Sequence, residues 1–201
     1  MYASRGYKSS RQHDDSVTPK RITLQVCSPT NVFGTLSICF DSGAGLAADE
    51  LYRIEIEEYR TRGAKVAELT RLAVDPEFGS KEVLGALFHV AYTFLGPIGN
   101  VSDVFIEVNP RHVVFYRRML HFRQASECKM CPRVSAPAVL LHVEVKHVSE
   151  QAAMYGGAAR QSRTLFPYFC SSEEERDVLN RVVSLDSRAE QASISHTMVS
   201  H

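Results

Sequence analysis

Residues 104–122, VFIEVNPRHVVFYRRMLHF, decide the fold of this chain. The apolar, β-branched run VFIEV predicts a buried strand. Asn109 and Pro110 end that strand, because proline lacks a backbone donor and disfavours the helical conformation in the residue before it. A short basic helix follows and carries two adjacent aromatic residues, Phe115 and Tyr116. Functional side chains therefore collect where a strand ends and a helix begins, as is typical of sites in α/β proteins.

Strand and helix patterns alternate through the rest of the chain. The other predicted strands cover residues 21–27, 32–41, 65–74, 121–127 and 138–145, and the first two are joined by a turn that predicts a hairpin. The other predicted helices cover residues 46–62 and 80–95, with one or two more after residue 149, and residues 96–100 are predicted as a loop. This order predicts an α/β (α+β) fold with a mixed central sheet of about six or seven strands, flanking helices and extra C-terminal helices.

The length and composition predict one domain with polar ends. The chain has 201 residues, 44% hydrophobic and 23% charged, which suits one well-buried domain. Residues 1–20 are polar without apolar periodicity and predict a flexible arm. We expect the domain at 21–185, including a C-terminal helical extension at 146–185, and a flexible tail at 186–201.

The charge balance excludes some partners and indicates others. A formal net charge of +0 gives no general argument for nucleic acid or for an anionic membrane. No stretch is long and apolar enough for a bilayer, so stable membrane insertion is not expected. Without a general charge argument, a nucleic-acid partner is not expected either. Charge is nevertheless segregated locally, because residues 49–58 are rich in acids whereas residues 111–133 are rich in bases.

The cysteines indicate a reducing compartment and no metal. The chain has five cysteines, an odd number, and no signal-peptide pattern, which predicts free thiols and a cytoplasmic location. Cys128 and Cys131 form a lone CxxC motif, and the other cysteines offer no second ligand pair for zinc. We therefore predict no metal site.

Two motifs, together with the order of elements, resemble the Gcn5-related N-acyltransferase fold. Asn109 at a strand end, Tyr116 in the next helix and Phe122 after it are similar to that superfamily's pattern, with His121 where glycine is usual. Residues 68–75, ELTRLAVD, are similar to the Glu-x-Ser/Thr-Arg-x-x-Val-Asp strand of acyl-homoserine lactone synthases. Combined with residues 137–141, PAVLL, the motifs resemble long-chain N-acyl amino acid synthases, including N-acyl tyrosine synthases, over residues 32–145.

The resemblance implies a reaction and a donor. The reaction is transfer of a long-chain fatty acyl group from an acyl carrier protein thioester to the α-amine of an amino acid, with tyrosine favoured. No cofactor is expected to be bound, since the carrier brings the acyl-phosphopantetheine. Coenzyme A-dependent relatives carry a glycine-rich loop for the pyrophosphate, whereas residues 75–82, DPEFGSKE, hold a lone Gly79 between acids. An acidic carrier would suit basic docking residues, for which we name Lys81, Arg117, Arg118, Arg123, Lys129 and Arg133.

Attack by an amine requires a base and a site for the substrate carboxylate. Glu68 is the first candidate base, directly or through water, and Glu107 is the second. Either glutamate could instead be a structural ion-pair partner of Arg71 or Arg111. The same two arginines are the candidates for binding the substrate carboxylate. Two further residues are placed on the substrate side, Asn109 and His112.

The thioester needs hydrogen-bond donors for the developing oxyanion, a way for the thiol to leave and an apolar pocket for the acyl chain. The resemblance implies that backbone N–H groups of a splayed strand at Leu72, Ala73 and Val74 face the carbonyl oxygen. The thiol either leaves as thiolate or takes a proton from Tyr116, whose other interpretation is a core aromatic residue. The acyl chain is expected against apolar residues, namely Phe88, Tyr92, Phe105, Leu165 and Phe166.

Three other functions share parts of this pattern. An acyl-homoserine lactone synthase would need a site for S-adenosylmethionine, and the short polar N-terminal arm, in a chain without tryptophan, offers no clear counterpart of it. A coenzyme A-dependent acetyltransferase is disfavoured by the missing glycine-rich loop. A non-catalytic module that binds acyl carrier protein or lipid on the same fold is the alternative outside enzymes.

Overall fold

A seven-stranded sheet organises the protein. The computed structural model describes residues 21–158, 162–171 and 174. Its strands are β1 (Arg21–Cys27), β2 (Val32–Phe40), β3 (Val66–Val74), β4 (Asp103–Val108), β5 (Arg123–Gln124), β6 (Lys129–Cys131) and β7 (Ala136–Glu144). The order across the sheet is β1-β2-β3-β4-β7-β5, and β6 pairs with the start of β7. The predicted hairpin of β1 and β2 is confirmed, and β3 and β4 form the parallel pair.

Helices cover both faces of the sheet, which confirms the predicted fold class. They are α1 (Asp49–Thr61), α2 (Lys81–Thr93), α3 (Val113–Leu120) and α4 (Val145–Tyr155), with short 3₁₀ turns at Pro110–His112 and Phe166–Tyr168. Helix α2 begins as predicted, since the Ser80 side chain accepts a hydrogen bond from the Val83 N–H. In the part of the chain that is described, no helix has the length and hydropathy needed to cross a membrane.

The structure differs from the predicted elements in several places, and of the predicted strand 121–127 only Arg123–Gln124 forms a strand. Residues 96–100 were predicted as a loop, but Phe94–Ile98 form a π-helical turn in which the Gly99 N–H binds the Phe94 carbonyl at 2.9 Å. The predicted last strand ends one residue early, because the Val145 N–H binds the Ser102 carbonyl and starts α4 there. The loop around the CxxC motif contains the unpredicted strand β6, which buries Cys131.

The two faces of the sheet have separate cores. Helix α1 covers one face, where Tyr52 and Ile56 pack against Phe105 and Leu140. The opposite face carries the larger core, built from α2, α3, α4 and residues 162–171. Because strand side chains alternate, neighbouring residues of β3 and β4 point into different cores. We call these the α1 face and the α2 face.

Three predicted segments lie wholly or partly outside the described residues. The N-terminal arm (1–20) and the tail (186–201) lie outside the described residues. Of the predicted C-terminal helical extension beyond residue 170, only Ser171 and Glu174 are described. These two residues exchange the reciprocal hydrogen bonds of a capping box, since the Ser171 N–H binds the Glu174 carboxylate at 2.8 Å and the Glu174 N–H binds the Ser171 hydroxyl at 3.4 Å.

Candidate active site

The sheet opens between its two parallel strands. β3 and β4 pair only at Val66–Asp103, Ala67–Val104 and Glu68–Phe105. Beyond Glu68, β3 continues to Val74 and β4 continues to Val108 without pairing between them. The carboxyl-terminal halves of two parallel strands therefore border a gap, which is the usual place for a ligand in an open α/β sheet.

A β-bulge in β3 borders this gap. Ser37 of β2 lies opposite Thr70, whereas Thr35 lies opposite Ala73, so β3 carries one extra residue between these pairs. Arg71 sits in the bulge with φ +56°, a left-handed conformation that costs a side-chain-bearing residue about 1–2 kcal/mol. Its carbonyl accepts a hydrogen bond from the Thr35 hydroxyl at 3.3 Å. The irregular backbone thus lies just before Leu72, Ala73 and Val74, the residues predicted to donate to the thioester oxygen.

Glu68 is a buried carboxylate at the point where the strands part. Its residue is 2% exposed, and its Oε2 accepts the Ala48 N–H at 3.2 Å, immediately before helix α1. Burial raises the pKa of Glu68 to about 7, the negative charge of Glu107 adds to the rise, and the Ala48 N–H and Arg133 oppose it. A carboxylate with a pKa near neutrality is suited to proton transfer at physiological pH.

Glu107 has the structural role that the sequence left open for both glutamates. Arg133 binds Glu107 at 2.7 Å through Nη2 and Glu50 at 3.0 Å through Nε. Glu68 forms no ion pair within the described residues. The partner of Glu107 is therefore Arg133, and neither Arg71 nor Arg111 was the right choice.

Three residues contribute to this site in ways that their sequence positions did not reveal. Ala48 acts through its backbone N–H, for which no side-chain signal exists. Glu50 and Arg133 are far apart in sequence, so only their opposite charges hinted at the contact. The sequence hint was the concentration of acids in residues 49–58 and of bases in residues 111–133. In the structure, ion pairs such as Arg133–Glu50 join these two segments.

The residues predicted to bind the substrate lie around the carboxyl end of β4. Asn109 accepts the Arg111 N–H on its side-chain oxygen at 3.2 Å and so caps the 3₁₀ turn that follows the strand. Arg111 is exposed, and its Nε lies 3.1 Å from Nε2 of the half-buried His112. Arg71 is exposed on β3 across the gap. Arg71 on β3 and Arg111 in the turn after β4, the two arginines proposed for the substrate carboxylate, thus lie on the two sides of the gap.

Tyr116 lies on the α2 face, whereas Glu68 lies on the α1 face. It is 6% exposed and makes edge-to-face contacts with Phe115 and Phe122, at ring-centroid distances of 5.1 and 5.9 Å. His121 ends α3 with φ +59°, so it takes the left-handed conformation for which glycine is usual. The usual turn is retained without the glycine. Any contact of Tyr116 with the same thioester as Glu68 must pass through the gap.

The residues predicted to form one acyl pocket divide between the two faces. Phe88, Tyr92, Leu165 and Phe166 belong to the core of the α2 face. Phe105 belongs to the core of the α1 face, where it contacts Tyr59 edge-to-face at 5.0 Å. The assignment of Phe105 to a common pocket with the other four residues was therefore wrong. A one-residue difference in strand position places a side chain on the other face.

The loop between β3 and α2 uses its own backbone donors. The Glu77 N–H binds the Asp75 carboxylate at 3.0 Å, the Phe78 N–H binds the Asp75 carbonyl at 3.1 Å, and the Ser80 N–H binds the Phe78 carbonyl at 2.8 Å. A pyrophosphate cradle needs such N–H groups pointing outward. Phe78 also packs on Phe33 with ring centroids 4.5 Å apart. This loop is a closed acidic turn.

The predicted docking residues do not form one free basic surface. Lys129 binds Glu55 at 2.7 Å and the Leu51 carbonyl at 2.9 Å, Arg133 is paired as described above, and Lys81 binds the Ser162 carbonyl at 2.6 Å. Three of the six predicted docking residues, Lys81, Lys129 and Arg133, therefore hold contacts within the protein. Of the six predicted docking residues, Arg117, Arg118 and Arg123 are exposed and form no ion pair with another described residue.

Arg123 faces a polar cavity instead of the gap. This cavity, of about 260 Å³, lies where β5, β7 and the start of α4 meet, and its lining includes His121, His142 and His147. Nδ1 of His121 lies 3.0 Å from Nε2 of His147. The charged and polar lining of this cavity is unsuited to an acyl chain. Among the described residues, no group of three or more histidine, cysteine, aspartate or glutamate side chains is placed so that it could hold a metal ion.

Comparison with known proteins agrees with this geometry. Among solved structures, the chain is similar to FeeM, an N-acyl amino acid synthase from uncultured soil microbes, with 28% identity and a TM-score of 0.62 over 72% of this chain and 84% of that chain. Two coenzyme A-dependent acyl-homoserine lactone synthases share the fold with TM-scores of 0.53. BjaI is 11% identical over 77% of this chain and 72% of its own, and MesI is 14% identical over 72% and 75%. A search of curated proteins finds no match.

A family model gives the assignment. Residues 1–144 match the model of the N-acyl amino acid synthase FeeM, which covers both motifs and the whole gap between β3 and β4. The acyltransferase structures named above have the same fold. The chain therefore belongs to the FeeM family of N-acyl amino acid synthases and is an acyltransferase that makes N-acyl amino acids.

Proposed function

We propose that the protein transfers a long-chain fatty acyl group from acyl carrier protein to the α-amine of an amino acid, with tyrosine as the first acceptor to test. The observation that carries this proposal is Glu68, a buried carboxylate with a pKa of about 7 at the point where β3 and β4 part. Tyrosine is favoured because the motifs resemble N-acyl tyrosine synthases. The carrier is favoured by the closed acidic turn after β3.

The proposed reaction begins with removal of a proton from the substrate ammonium by the Glu68 carboxylate. The amine nitrogen then attacks the thioester carbon, and backbone N–H groups at the bulge stabilise the developing oxyanion. This attack forms the C–N bond. After the nitrogen has lost its second proton, collapse of the tetrahedral intermediate re-forms the C=O bond and breaks the C–S bond. The phosphopantetheine sulfur leaves as thiolate or takes a proton from Tyr116. Starting from an ammonium, the overall products are the amide, the free thiol and one proton.

The choice of donor follows from the turn between β3 and α2. Its N–H groups at residues 77, 78 and 80 are engaged within the loop, and Asp75 and Glu77 add negative charge beside them. Coenzyme A carries a pyrophosphate and a further phosphate, whereas a carrier thioester brings one phosphodiester and its own protein surface. The fold itself does not exclude coenzyme A, since BjaI and MesI are described as coenzyme A-dependent. The donor must therefore be tested directly.

The test compares donors and acceptors with the purified protein. We expect long-chain acyl carrier protein and tyrosine to give N-acyl tyrosine by mass spectrometry, with a higher kcat/KM than the matching acyl coenzyme A. A panel of other amino acids at equal concentration measures the acceptor preference. A higher kcat/KM for acyl coenzyme A would overturn the donor assignment. A lactone formed with S-adenosylmethionine, or no product with any acceptor, would support the competing functions.

We expect the double variant Arg117→Glu/Arg118→Glu to raise the KM for acyl carrier protein by roughly tenfold at low salt, because it replaces attraction to an acidic partner by repulsion. The effect should shrink as ionic strength rises. Steady-state kinetics with the carrier at two salt concentrations measure it. The control donor is a short acyl-pantetheine thioester, for which the variant should match the wild type. Equal loss with both donors would assign these arginines to something other than carrier docking.

A further inference from the structure

Arg133 joins three parts of the chain beside Glu68. It stands in the turn between β6 and β7 and reaches Glu107 on β4 and Glu50 in the first turn of α1, at 2.7 and 3.0 Å. Glu107 lies two residues beyond Phe105, the β4 partner of Glu68, so it shares the α1 face with Glu68. Glu50 lies two residues beyond Ala48, whose N–H binds Glu68. Arg133 therefore holds one acid that acts on the proposed base, Glu107, and one at the start of the helix whose backbone binds that base, Glu50.

We propose that Arg133 is a positioning residue that keeps Glu68 able to act as a base, by neutralising Glu107 beside it and by fixing the start of α1. The inference rests on the proposed function, in which Glu68 accepts the proton of the amine. It assigns Arg133 to the active site, away from the carrier-docking role expected from the sequence. The Arg133 side chain is 35% exposed and that of Glu107 is 12% exposed, so the pair is partly withdrawn from water.

The charges around Glu68 explain why one arginine matters. The charged side chains that act on Glu68 are those of Glu107 on β4 and Arg133. The other titratable groups on this face are Cys39 on β2, opposite Glu68, with Arg21 of β1 beyond it, Tyr52 and Tyr59 on α1, and the paired Asp103 and His142 beside Phe105. Arg21 is directed to Cys39, with Nε 3.3 Å from Sγ. Arg133 is therefore the cation that faces the acids. Without it, Glu107 would stand beside Glu68 as an unbalanced negative charge, which disfavours ionisation of Glu68.

Two opposite substitutions test the inference. Arg133→Met should raise the midpoint of the acid limb of the pH profile of kcat/KM by on the order of one pH unit. Glu107→Gln should lower that midpoint, because it removes the repelling charge. Arg133→Lys, which keeps the charge, should lie close to the wild type. A merely structural Arg133 would change the folded fraction without moving either midpoint, and unchanged midpoints in both variants would overturn the inference.

A second readout separates this inference from the proposed function. In protein labelled with ¹³C at the glutamate carboxyl carbon, the resonance that disappears in Glu68→Gln belongs to Glu68, and its titration needs no substrate. We expect its midpoint to rise in Arg133→Met and to fall in Glu107→Gln. The matched control is Arg62→Met, which removes an exposed arginine paired with Glu58 at 3.7 Å, and it should leave the midpoint unchanged. If these shifts occur but no amide is formed, the proposed function fails while the role of Arg133 stands.

Discussion

We expect Glu68→Gln to lower kcat/KM for N-acyl amino acid formation by roughly 10²- to 10⁴-fold, the usual contribution of general-base catalysis. Glutamine keeps the shape of the side chain, and its amide oxygen can still accept the Ala48 N–H. It cannot take a proton from the substrate ammonium. The measurement is product formation under saturating donor, with circular dichroism to show that the variant is folded. Turnover equal to the wild type would refute the assignment of the base.

Glu107→Gln distinguishes the two candidate bases. Glu107 is held by Arg133, so its carboxylate serves as a counter-charge and its loss should preserve most of the turnover at neutral pH. If Glu107 were the base, this variant would lose the activity instead.

In the wild type, kcat/KM should fall about tenfold per pH unit below pH 7, where Glu68 becomes protonated.

The same carboxylate makes the free energy of unfolding depend on pH. The folded-state pKa of Glu68 is raised from 4.5 to about 7, so folding is favoured most below the unfolded pKa. This contribution is lost as the pH rises through about 7, and it amounts to on the order of 3 kcal/mol. Glu68→Gln should therefore be more stable than the wild type at pH 8. Urea unfolding at pH 5 and pH 8 checks this directly, and it also shows that lost activity is not lost folding.

The strand and helix patterns were sufficient to predict the architecture. The β-branched run of β4, the Asn-Pro stop after it and the serine cap of α2 are local signals, and local signals can be read from neighbouring residues. The π-helical turn at Phe94–Ile98 escaped this reading because Gly96 and Pro97 are ordinary loop signals. The early end of β7 escaped it because the Val145 N–H is bound by Ser102, which is distant in sequence.

The site was predicted where it depends on one segment and missed where it depends on two. Glu68 and Asn109 belong to local motifs, and the structure places both at the gap. The grouping of Arg133 with Glu50 and Glu107 needs the sheet register, which brings β4, β7 and α1 together. The misplacement of Phe105 has the same cause. Alternation along a strand shows which residues share a face, but it does not show which helix covers that face. Contacts between distant segments were the missing information.

We expect Phe166→Ala to destabilise the protein by about 3–5 kcal/mol, although residue 166 lies beyond the segment matched by the family model. Phe166 is fully buried, and its ring meets Phe169 and His121 at centroid distances of 5.4 and 5.1 Å. The Leu165 N–H beside it binds the Met119 carbonyl of α3 at 2.9 Å. Removing the ring would leave a cavity under the helix that carries Tyr116.

The size of this loss decides whether residues 162–171 belong to the catalytic domain. A loss of 3–5 kcal/mol is a large share of the roughly 5–15 kcal/mol that holds a domain folded, so the midpoint of urea unfolding should fall clearly. The matched control is Met154→Ala on α4, because Met154 is 66% exposed and its truncation leaves no cavity. If Phe166→Ala unfolded at the same urea concentration as this control, the segment would be an appendage. A large difference, with weaker acyl transfer at temperatures where the variant is still folded, would make it part of the wall that supports α3 beside the gap.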